Sequence, residues 1–347
     1  MIRISRTPLR VSFFGGGTDY AAYFEQFPGT VVGTTINLYV YIIALPMPDF
    51  CEQKYRFLYR MNESVNSIEE ITHPVIRAVL REEQYHAPLN VAIMADVPAG
   101  TGLGSSSSFT VGFVNLIKAL KGVPLNRYAL ARRAIHIEHD VLNENVGVQD
   151  QIHAAYGGLS RYSFHREEFS IHPIRINVDC QHALDQSMFL LYTEIARRAS
   201  ESVAQQLENT RAGRVEKELA HLVKLAEQSV AVLEQQSPHQ MLKELGCLLN
   251  DGWQTKKNLS AWVTSPKIDE MYEAALRLGA YGGKLCGAGA GGFIFVLAPH
   301  HLHRDFVERF GEGNVMRITT EMTGSRVTTL GDEMQLPTAA GFYAGVQ

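Results

Sequence analysis

The segment Pro98-Ala-Gly-Thr-Gly-Leu-Gly-Ser-Ser-Ser-Ser108 decides the fold. Three glycines alternate with small residues, and four serines then lead into an apolar stretch. A loop with so few bulky side chains lets backbone N–H groups approach a ligand, and a following helix adds free N–H groups and the positive end of its dipole. The segment therefore predicts a phosphate-binding loop. No Gly-x-x-x-x-Gly-Lys-Ser/Thr motif occurs in the chain, which excludes the common P-loop enzymes.

The flanks of this segment support the same interpretation. Residues 89–95 read as a strand, because Val91, Ile93 and Ala95 alternate on one face. After the serines, apolar residues recur at helical spacing up to residue 120, and Gly122 then ends the helix. A strand, a glycine-rich loop and a helix in this order form the setting that a phosphate-binding loop requires.

Two further glycine clusters lie near the two ends of the chain. The first is Arg6-Thr-Pro-Leu-Arg-Val-Ser-Phe-Phe-Gly-Gly-Gly-Thr-Asp19, in which a predicted strand places Arg10 and Ser12 on one face. Asp19 can accept hydrogen bonds from sugar hydroxyls or cap the helix that follows. The other is Lys284-Leu-Cys-Gly-Ala-Gly-Ala-Gly-Gly292, which precedes a buried strand over residues 293–297. In chain order, residues 6–19, 98–108 and 284–292 are the first, second and third glycine segments. Both clusters predict close approach of a ligand to the backbone.

The three segments resemble the three signature motifs of the GHMP kinases, the family that includes galactokinase, homoserine kinase, mevalonate kinase and phosphomevalonate kinase. Their order and spacing are also similar, so that the resemblance spans nearly the whole chain. It implies an α+β fold of two domains, with the active site in the cleft between them. We place an N-terminal domain at residues 1–180 and a helix-rich C-terminal domain at 181–347.

Within the family, the first motif most resembles that of the heptose 7-phosphate kinases. This resemblance implies transfer of the γ-phosphate of ATP to the anomeric hydroxyl of D-glycero-D-manno-heptose 7-phosphate, for the synthesis of surface polysaccharide precursors. A fucokinase- or galactokinase-like sugar 1-kinase and a catalytically silent sugar-phosphate sensor are the alternatives. Because Arg10, Ser106, Glu138 and Asp150 are all present, the chain favours the enzyme over the sensor.

The resemblance also implies roles for individual residues. Asp150 is the catalytic base and Arg10 pairs with it. Ser106 and Glu138 hold Mg²⁺ together with phosphate and water, with Ser105 or Ser107 as the alternative serine. The predicted nucleotide-binding residues are those of the central loop: Pro98, Gly100, Gly102, Gly104, Ser105, Ser106 and Ser107. The predicted substrate-binding residues come from the other motifs and from one basic pair: Gly16, Gly17, Thr18, Asp19, Arg197, Arg198, Gly287 and Gly289.

The phosphate that this substrate already carries requires a basic partner. Arg197 and Arg198 follow a predicted strand over residues 188–192, at the start of a helix, where an anion is favoured. Lys256 with Lys257, and Lys284, are the other candidates.

Composition limits the remaining possibilities. The chain has 347 residues, 46% of them hydrophobic, and a net charge of −4 with acidic and basic residues well mixed. We therefore expect no nucleic acid and no membrane as a partner. The resemblance implies a small-molecule sugar phosphate as the substrate, with a homodimer as one option for assembly. The four cysteines are widely separated, which suits buried thiols in a reducing cytoplasm.

Overall fold

The computed structural model of this chain describes residues 1–166, 168–195 and 199–330. The strands within these ranges are β1 (Ile2–Phe14), β2 (Gly29–Pro46), β3 (Tyr55–Leu58), β4 (Asn62–Val65), β5 (Leu89–Ala95), β6 (Leu159–His165), β7 (Glu168–Pro173), β8 (Met188–Tyr192), β9 (Gly282–Leu285), β10 (Phe293–Leu297), β11 (Val315–Arg317) and β12 (Arg326–Leu330). The helices are α1 (Ala21–Phe24), α2 (Pro74–Glu82), α3 (Ser105–Leu120), α4 (Arg127–His136), α5 (Gln149–Tyr156), α6 (Val178–Ser187), α7 (Ala199–Arg211), α8 (Glu216–Leu233), α9 (Pro238–Lys257), α10 (Pro266–Leu278) and α11 (His303–Phe310). A single turn of π-helix, Ile137–Val141, continues α4.

A large mixed sheet carries most of the N-terminal half. Its described strands follow the order β12-β1-β2-β5-β3-β4, and β6 joins β2 to β7. All pairs are antiparallel except β3 with β5. The long strand β2 pairs with β6 through its first residues and with β5 through its last ones. Helices α3, α5 and α8 pack against β1 and β2, so that the middle of this sheet is covered by helices.

Two irregularities in β1 position the residues of its C-terminal end. The register with β2 shifts between Pro8 and Leu9, and again between Ser12 and Phe14. Such bulges bend a strand and redirect its side chains. Leu9, Val11 and Phe13 are buried as predicted, but Arg10 is buried as well, at 6% exposure. The end of β1 is therefore enclosed on both faces, and the polar face predicted for Arg10 and Ser12 lines an internal cavity.

A second sheet lies in the C-terminal half, with its described strands in the antiparallel order β11-β8-β10-β9. A separate apolar core forms between this sheet and α10 and α11, around Phe189, Ile294 and Phe306. The last described strand, β12, returns to the large sheet and pairs with β1. The α+β class is confirmed, and the division of domains at residue 180 stays a prediction.

The predicted thiol environment is only half correct. Cys180 and Cys286 are buried free thiols, as expected. Cys247 is exposed and Cys51 is partly exposed, so the expectation that all four are buried is wrong. Cys247 lies on α9, whose buried stripe follows helical periodicity and does not include that position.

Among the described residues, no helix is both long and apolar enough to cross a membrane.

Gly15 ends β1 at a position that no side chain fits. Its φ is +80°, and an added Cβ would lie 1.8 Å from the carbonyl oxygen of Thr30. Gly122, at the end of α3, has a similar φ of +74° but has no atom within 4 Å of such a Cβ. We expect Gly122→Ala to lower the free energy of unfolding by about 1–2 kcal/mol through backbone strain alone. Gly15→Ala should lower it by at least about 1 kcal/mol more, because backbone atoms must also move.

Chemical denaturation of both variants checks this prediction. An equal decrease in the free energy of unfolding for Gly15→Ala and Gly122→Ala would contradict it. That result would show that the backbone at Thr30 moves away from the added Cβ without an energetic cost.

Candidate active site

A cavity of about 200 Å³ brings the three glycine segments together. Residues from both halves of the chain line it, among them Arg10 and Asp19 from the first glycine segment and Lys256 and Gly287 from the C-terminal half. Most of the predicted site residues are among them: Arg10, Gly16, Gly17, Asp19, Gly100, Gly102, Gly104, Ser105, Ser106, Asp150, Gly287 and Gly289. Segments that are far apart in the sequence thus meet around one internal space.

Arg10 and Asp150 form a bidentate ion pair at this cavity. Arg10 Nε donates to Asp150 Oδ1 over 2.7 Å, and Nη2 donates to Oδ2 over 2.6 Å. The remaining nitrogen, Nη1, donates to the carbonyl oxygen of Gly102 over 2.6 Å. Burial opposes the charge of Arg10, but the Asp150 carboxylate outweighs it and raises the pKa of the guanidinium. Arg10 therefore stays charged, and it fixes the plane of the Asp150 carboxylate.

The central glycine loop ends at the N-terminus of α3. Gly104 occupies the N-cap position with a φ of +77° and no side-chain cap, so that the first N–H groups of α3 remain available to a ligand. Gly102 lies against the third glycine segment, where an added Cβ would be 2.6 Å from the carbonyl oxygen of Cys286. The loop therefore has the anion-binding geometry that the sequence predicts, held in place by backbone contacts.

A second cavity, of about 730 Å³, adjoins the first at Ser105 and Ser106. Pro98 lines this second cavity rather than the first. Its wall includes Tyr59, His73 and Phe109, with ring centroids 5.2 Å apart for Tyr59 and His73 and 5.1 Å apart for His73 and Phe109. Burial lowers the pKa of His73, which favours the neutral form of its ring. This aromatic cluster suits a flat heterocycle, and the sequence analysis missed it.

Asp19 faces the cavity and does not cap α1, the helix that follows it; it contacts the first residue of α5 instead. Its Oδ1 accepts from Gly17 N over 3.0 Å and its Oδ2 accepts from Gln149 N over 3.5 Å, whereas α1 has no side-chain cap. Burial and the nearby Asp150 raise the pKa of Asp19. Thr18 does not line the cavity, because its hydroxyl donates to Gly15 O and accepts from Thr30 N. Thr18 thus stabilises the turn that positions Asp19.

Glu138 is buried on the π-helical turn beside the phosphate loop. One of its carboxylate oxygens, Oε2, accepts hydrogen bonds from Ser107 Oγ over 2.9 Å and from Gln151 Nε2. The other, Oε1, is buried without a partner in the described part of the chain. Ser106 is exposed and lines both cavities, while Ser107 holds Glu138. Burial raises the pKa of Glu138 to about 7, although the contacts with Thr110, Gln151 and Ser107 oppose this shift.

The candidate phosphate-binding cations differ in their placement. Arg197 and Arg198 lie outside the described residues. Lys256 and Lys284 line the cavity that contains Arg10 and Asp150, and both are buried. Lys257 lies elsewhere, with its Nζ 3.5 Å from Asp269 and 5.8 Å from the centre of the Trp253 ring.

Sequence reasoning missed two polar groups in the cavity wall. Ser12 Oγ and Gln149 Oε1 are buried there, and neither has a hydrogen-bond partner among the described residues. The only sequence signal was that Ser12 shares a face with Arg10 and that Gln149 precedes Asp150. A buried polar group without a hydrogen-bond partner is costly. A polar ligand that bonds to these two atoms would remove that cost.

A third groove, of about 1030 Å³, is lined by Phe24, Lys118, Arg133, Phe169 and their neighbours. No residue of the three glycine segments lines this groove, so we do not consider it a candidate active site.

Comparison with known families identifies the fold and the class of activity. The GHMP kinases N terminal domain family matches residues 70–158, and the GHMP kinases C terminal family matches residues 234–313. These matches include the phosphate loop, Glu138 and Asp150 in the first half and the third glycine segment in the second. The chain belongs to the GHMP kinases, which are ATP-dependent phosphotransferases.

Individual relatives come from several branches of this family. The chain is 29% identical over 308 residues to a D-glycero-alpha-D-manno-heptose 7-phosphate kinase of Campylobacter jejuni, covering 84% of this chain and 88% of the relative. It is 25% identical to a galactokinase of Pyrococcus furiosus, again covering 84% of this chain and 88% of the relative. The crystal structure of a D-glycero-D-manno-heptose 1-phosphate kinase from Bacteroides thetaiotaomicron shares the fold, with a TM-score of 0.73, 23% identity, and coverage of 95% of this chain and 99% of that one.

The buried Glu138 predicts a pH-dependent stability for the ligand-free protein. Its folded-state pKa of about 7 lies above the ordinary value of 4.5. Folding therefore favours the protonated form, and the corresponding stability is fully present below about pH 4.5 and is lost as the pH rises to about 7. Glu138→Gln cannot ionise, so its stability relative to the wild type should rise by up to about 3 kcal/mol between pH 5 and pH 8.

Urea unfolding at both pH values, without nucleotide or divalent cations, measures this difference. Glu308→Gln, at an exposed position on α11, serves as the control and should show no such trend. A Glu138→Gln effect that is the same at pH 5 and pH 8 would contradict the raised pKa.

Proposed function

We propose that the chain transfers the γ-phosphate of ATP to the anomeric hydroxyl of D-glycero-D-manno-heptose 7-phosphate and forms the 1,7-bisphosphate. The similarity to the Campylobacter jejuni enzyme supports the choice of sugar. The observation that carries the proposal is the Arg10–Asp150 pair, which lies in a cavity shared by all three glycine segments.

Asp150 is the base in this reaction. Its side chain remains 22% exposed towards the cavity, so that a hydroxyl can reach it despite the ion pair. As the sugar oxygen bonds to the γ-phosphorus, the carboxylate accepts the hydroxyl proton, the bond from the γ-phosphorus to the bridging oxygen breaks, and ADP leaves. Arg10 orients Asp150 and offsets negative charge; it cannot exchange a proton at neutral pH.

The nucleotide extends across the two adjoining cavities. Its base occupies the larger cavity, against the rings of Tyr59, His73 and Phe109. Its phosphates pass Ser105 and Ser106, the residues that line both cavities, and bind the free N–H groups at the N-terminus of α3. The γ-phosphate then lies on the side of Asp150.

Ser106 and Glu138 are the residues that would hold Mg²⁺. The unpartnered Oε1 of Glu138 is a hard oxygen donor without a counter-charge, which fits such an ion. In the described part of the chain, no three His, Cys, Asp or Glu side chains form a metal-binding group. This agrees with an ion held mainly by phosphate and water oxygens. Mg²⁺ held there would neutralise charge on the phosphates. Ser107 and Gln151 hold Glu138 in place through hydrogen bonds to its Oε2.

The acceptor sugar binds between the first and third glycine segments. Asp19 presents a carboxylate there, and Ser12 and Gln149 add two polar atoms that lack partners in the described structure. Gly16 keeps this wall open, since an added Cβ would lie 3.7 Å from Ser12 Oγ and 3.9 Å from Gln149 Nε2. Several convergent polar groups of this kind are suited to a polyhydroxylated ligand.

A substrate panel tests the proposal. ATP consumption is measured with heptose 7-phosphate, free heptose, galactose, fucose and galactose 6-phosphate, and phosphorus NMR locates the new phosphate. We expect the highest kcat/KM with heptose 7-phosphate and a product phosphorylated at C1. A preference for free galactose or fucose would assign the chain to another sugar 1-kinase branch, and binding without turnover would indicate a sensor.

Asp150→Asn tests the role of the base. The variant keeps the size of the side chain but loses its charge and basicity, so kcat should fall by about a hundredfold or more. ATP binding, measured by calorimetry, should change little because the nucleotide contacts other residues. Asp140→Asn, an exposed carboxylate on the π-helical turn, is the control. Near-wild-type turnover in Asp150→Asn would refute the assigned role.

A further inference from the structure

Two lysines of the catalytic cavity are buried to an unusual degree. Lys256, at the end of α9, is 5% exposed, and Lys284, in β9, is 7% exposed. Both line the cavity that contains Asp150. Lysine is almost never buried unless its charge is paired. Each of these two ammonium groups is therefore expected to have a partner of opposite charge.

Backbone carbonyls are the only hydrogen-bond acceptors that these lysines have within the described structure. Lys256 Nζ donates to Leu285 O over 3.4 Å and to Gly287 O. Lys284 Nζ donates to Phe13 O over 3.2 Å. Neither forms an ion pair with a described carboxylate, whereas the neighbouring Lys257 pairs with Asp269. Carbonyls carry only partial charges, so the two lysines lack a full counter-charge.

The charges that line the cavity do not balance. Three cations, Arg10, Lys256 and Lys284, face it together with two carboxylates, Asp19 and Asp150. Asp150 already neutralises Arg10 through two hydrogen bonds. Asp19 remains for two lysines, and burial raises its pKa, which weakens its negative charge. The five side chains therefore carry one excess positive charge, which a bound anion such as a phosphate group would offset.

The pKa shifts of the lysines have the same physical origin. Burial lowers the pKa of Lys256 to about 8. Burial, followed by repulsion from Lys256, lowers the pKa of Lys284 well below its usual range. A dianion beside both groups would oppose both effects, because an opposite charge favours the charged form of each lysine.

The positions of the two lysines relate them to the acceptor. Lys284 Nζ donates to the carbonyl oxygen of Phe13, in the first glycine segment. Lys256 Nζ donates to the carbonyl oxygen of Gly287, in the third. These are the two segments between which we place the sugar. The nucleotide phosphates, by contrast, have the N-terminus of α3 as their binding site.

We propose that Lys256 and Lys284 together bind a phosphate group that the acceptor sugar already carries. The proposal rests on the proposed function and adds the residues that distinguish a phosphorylated sugar from a free one. It also moves this role from Arg197 and Arg198, for which we predicted it, to two buried residues of the cavity wall.

Methionine variants remove the charges while preserving most of the volume. Lys256→Met and Lys284→Met should both fold, because apolar replacement of a buried charged group at similar volume is often neutral or stabilising. Lys257→Met is the matched control: it is adjacent on α9 but pairs with Asp269 outside the cavity. Thermal unfolding verifies that each variant is folded, and the two cavity variants provide independent tests.

The measurement compares heptose 7-phosphate with free heptose. We expect each cavity variant to raise KM for heptose 7-phosphate by about tenfold or more relative to its effect on KM for free heptose, because a charge-assisted contact is lost. Lys257→Met should leave this ratio within about twofold. Equal changes for both sugars would overturn the proposal. A rise confined to the KM for ATP would overturn it in favour of a nucleotide contact.

Calorimetric titration without ATP separates this inference from the proposed reaction. The wild type should bind heptose 7-phosphate more tightly than free heptose, and Lys256→Met and Lys284→Met should remove that difference. If the wild type phosphorylates neither sugar, the proposed function fails, yet the titration still decides whether the lysines bind the phosphate. Equal affinity of the wild type for the two sugars would overturn the inference even if the enzyme is active.

Discussion

The bidentate pair between Arg10 and Asp150 is the interaction on which the site depends. It joins two residues that are 140 positions apart in the sequence, one at the end of β1 and one in the first turn of α5. Arg10 also donates to Gly102 O through its side chain and to Leu103 O through its backbone. Arg10 thus fixes Asp150, β1 and the central glycine loop relative to each other. Arg10 is buried, so separating it from Asp150 would leave an uncompensated buried charge. This cost disfavours other positions of the two side chains.

Close backbone contacts explain the glycine clusters at least as well as ligand binding does. An added Cβ at Gly287 would lie 2.7 Å from the Cα atom of Gly102, and one at Gly292 would lie 2.3 Å from the carbonyl oxygen of Thr101. Phe293 N donates to that same carbonyl over 3.2 Å, so the second and third segments are hydrogen-bonded to each other. The glycines allow the two loops to touch, and the cavity is the space that remains beside the contact.

Local periodicity predicted the regular elements well. The strands Leu89–Ala95, Met188–Tyr192 and Phe293–Leu297 occur at the residues that their patterns indicate. Local signals suffice for these elements, because period, capping and chain breaks are properties of neighbouring residues.

The properties that depend on tertiary packing were not predictable in the same way. Nothing around Lys256 and Lys284 in the sequence distinguishes a buried lysine from a solvated one, and the neighbouring Lys257 has the other environment. The contact between Ser107 and Glu138 depends on how a π-helical turn meets α3. The motifs did identify Arg10 and Asp150 as partners, but only through the resemblance to a family.

Uncompensated charge is the common feature of the groups that surround the reaction. Burial raises the pKa of Glu138 to about 7 and lowers that of Lys256 to about 8, so each is close to losing its charge in the ligand-free protein. A cation beside the first and a phosphate beside the second would each restore the ordinary ionised form. The folded chain therefore carries an electrostatic cost that such ligands would relieve. Because this relief contributes to binding, polar groups can remain in a buried cavity that apolar residues would fill more stably.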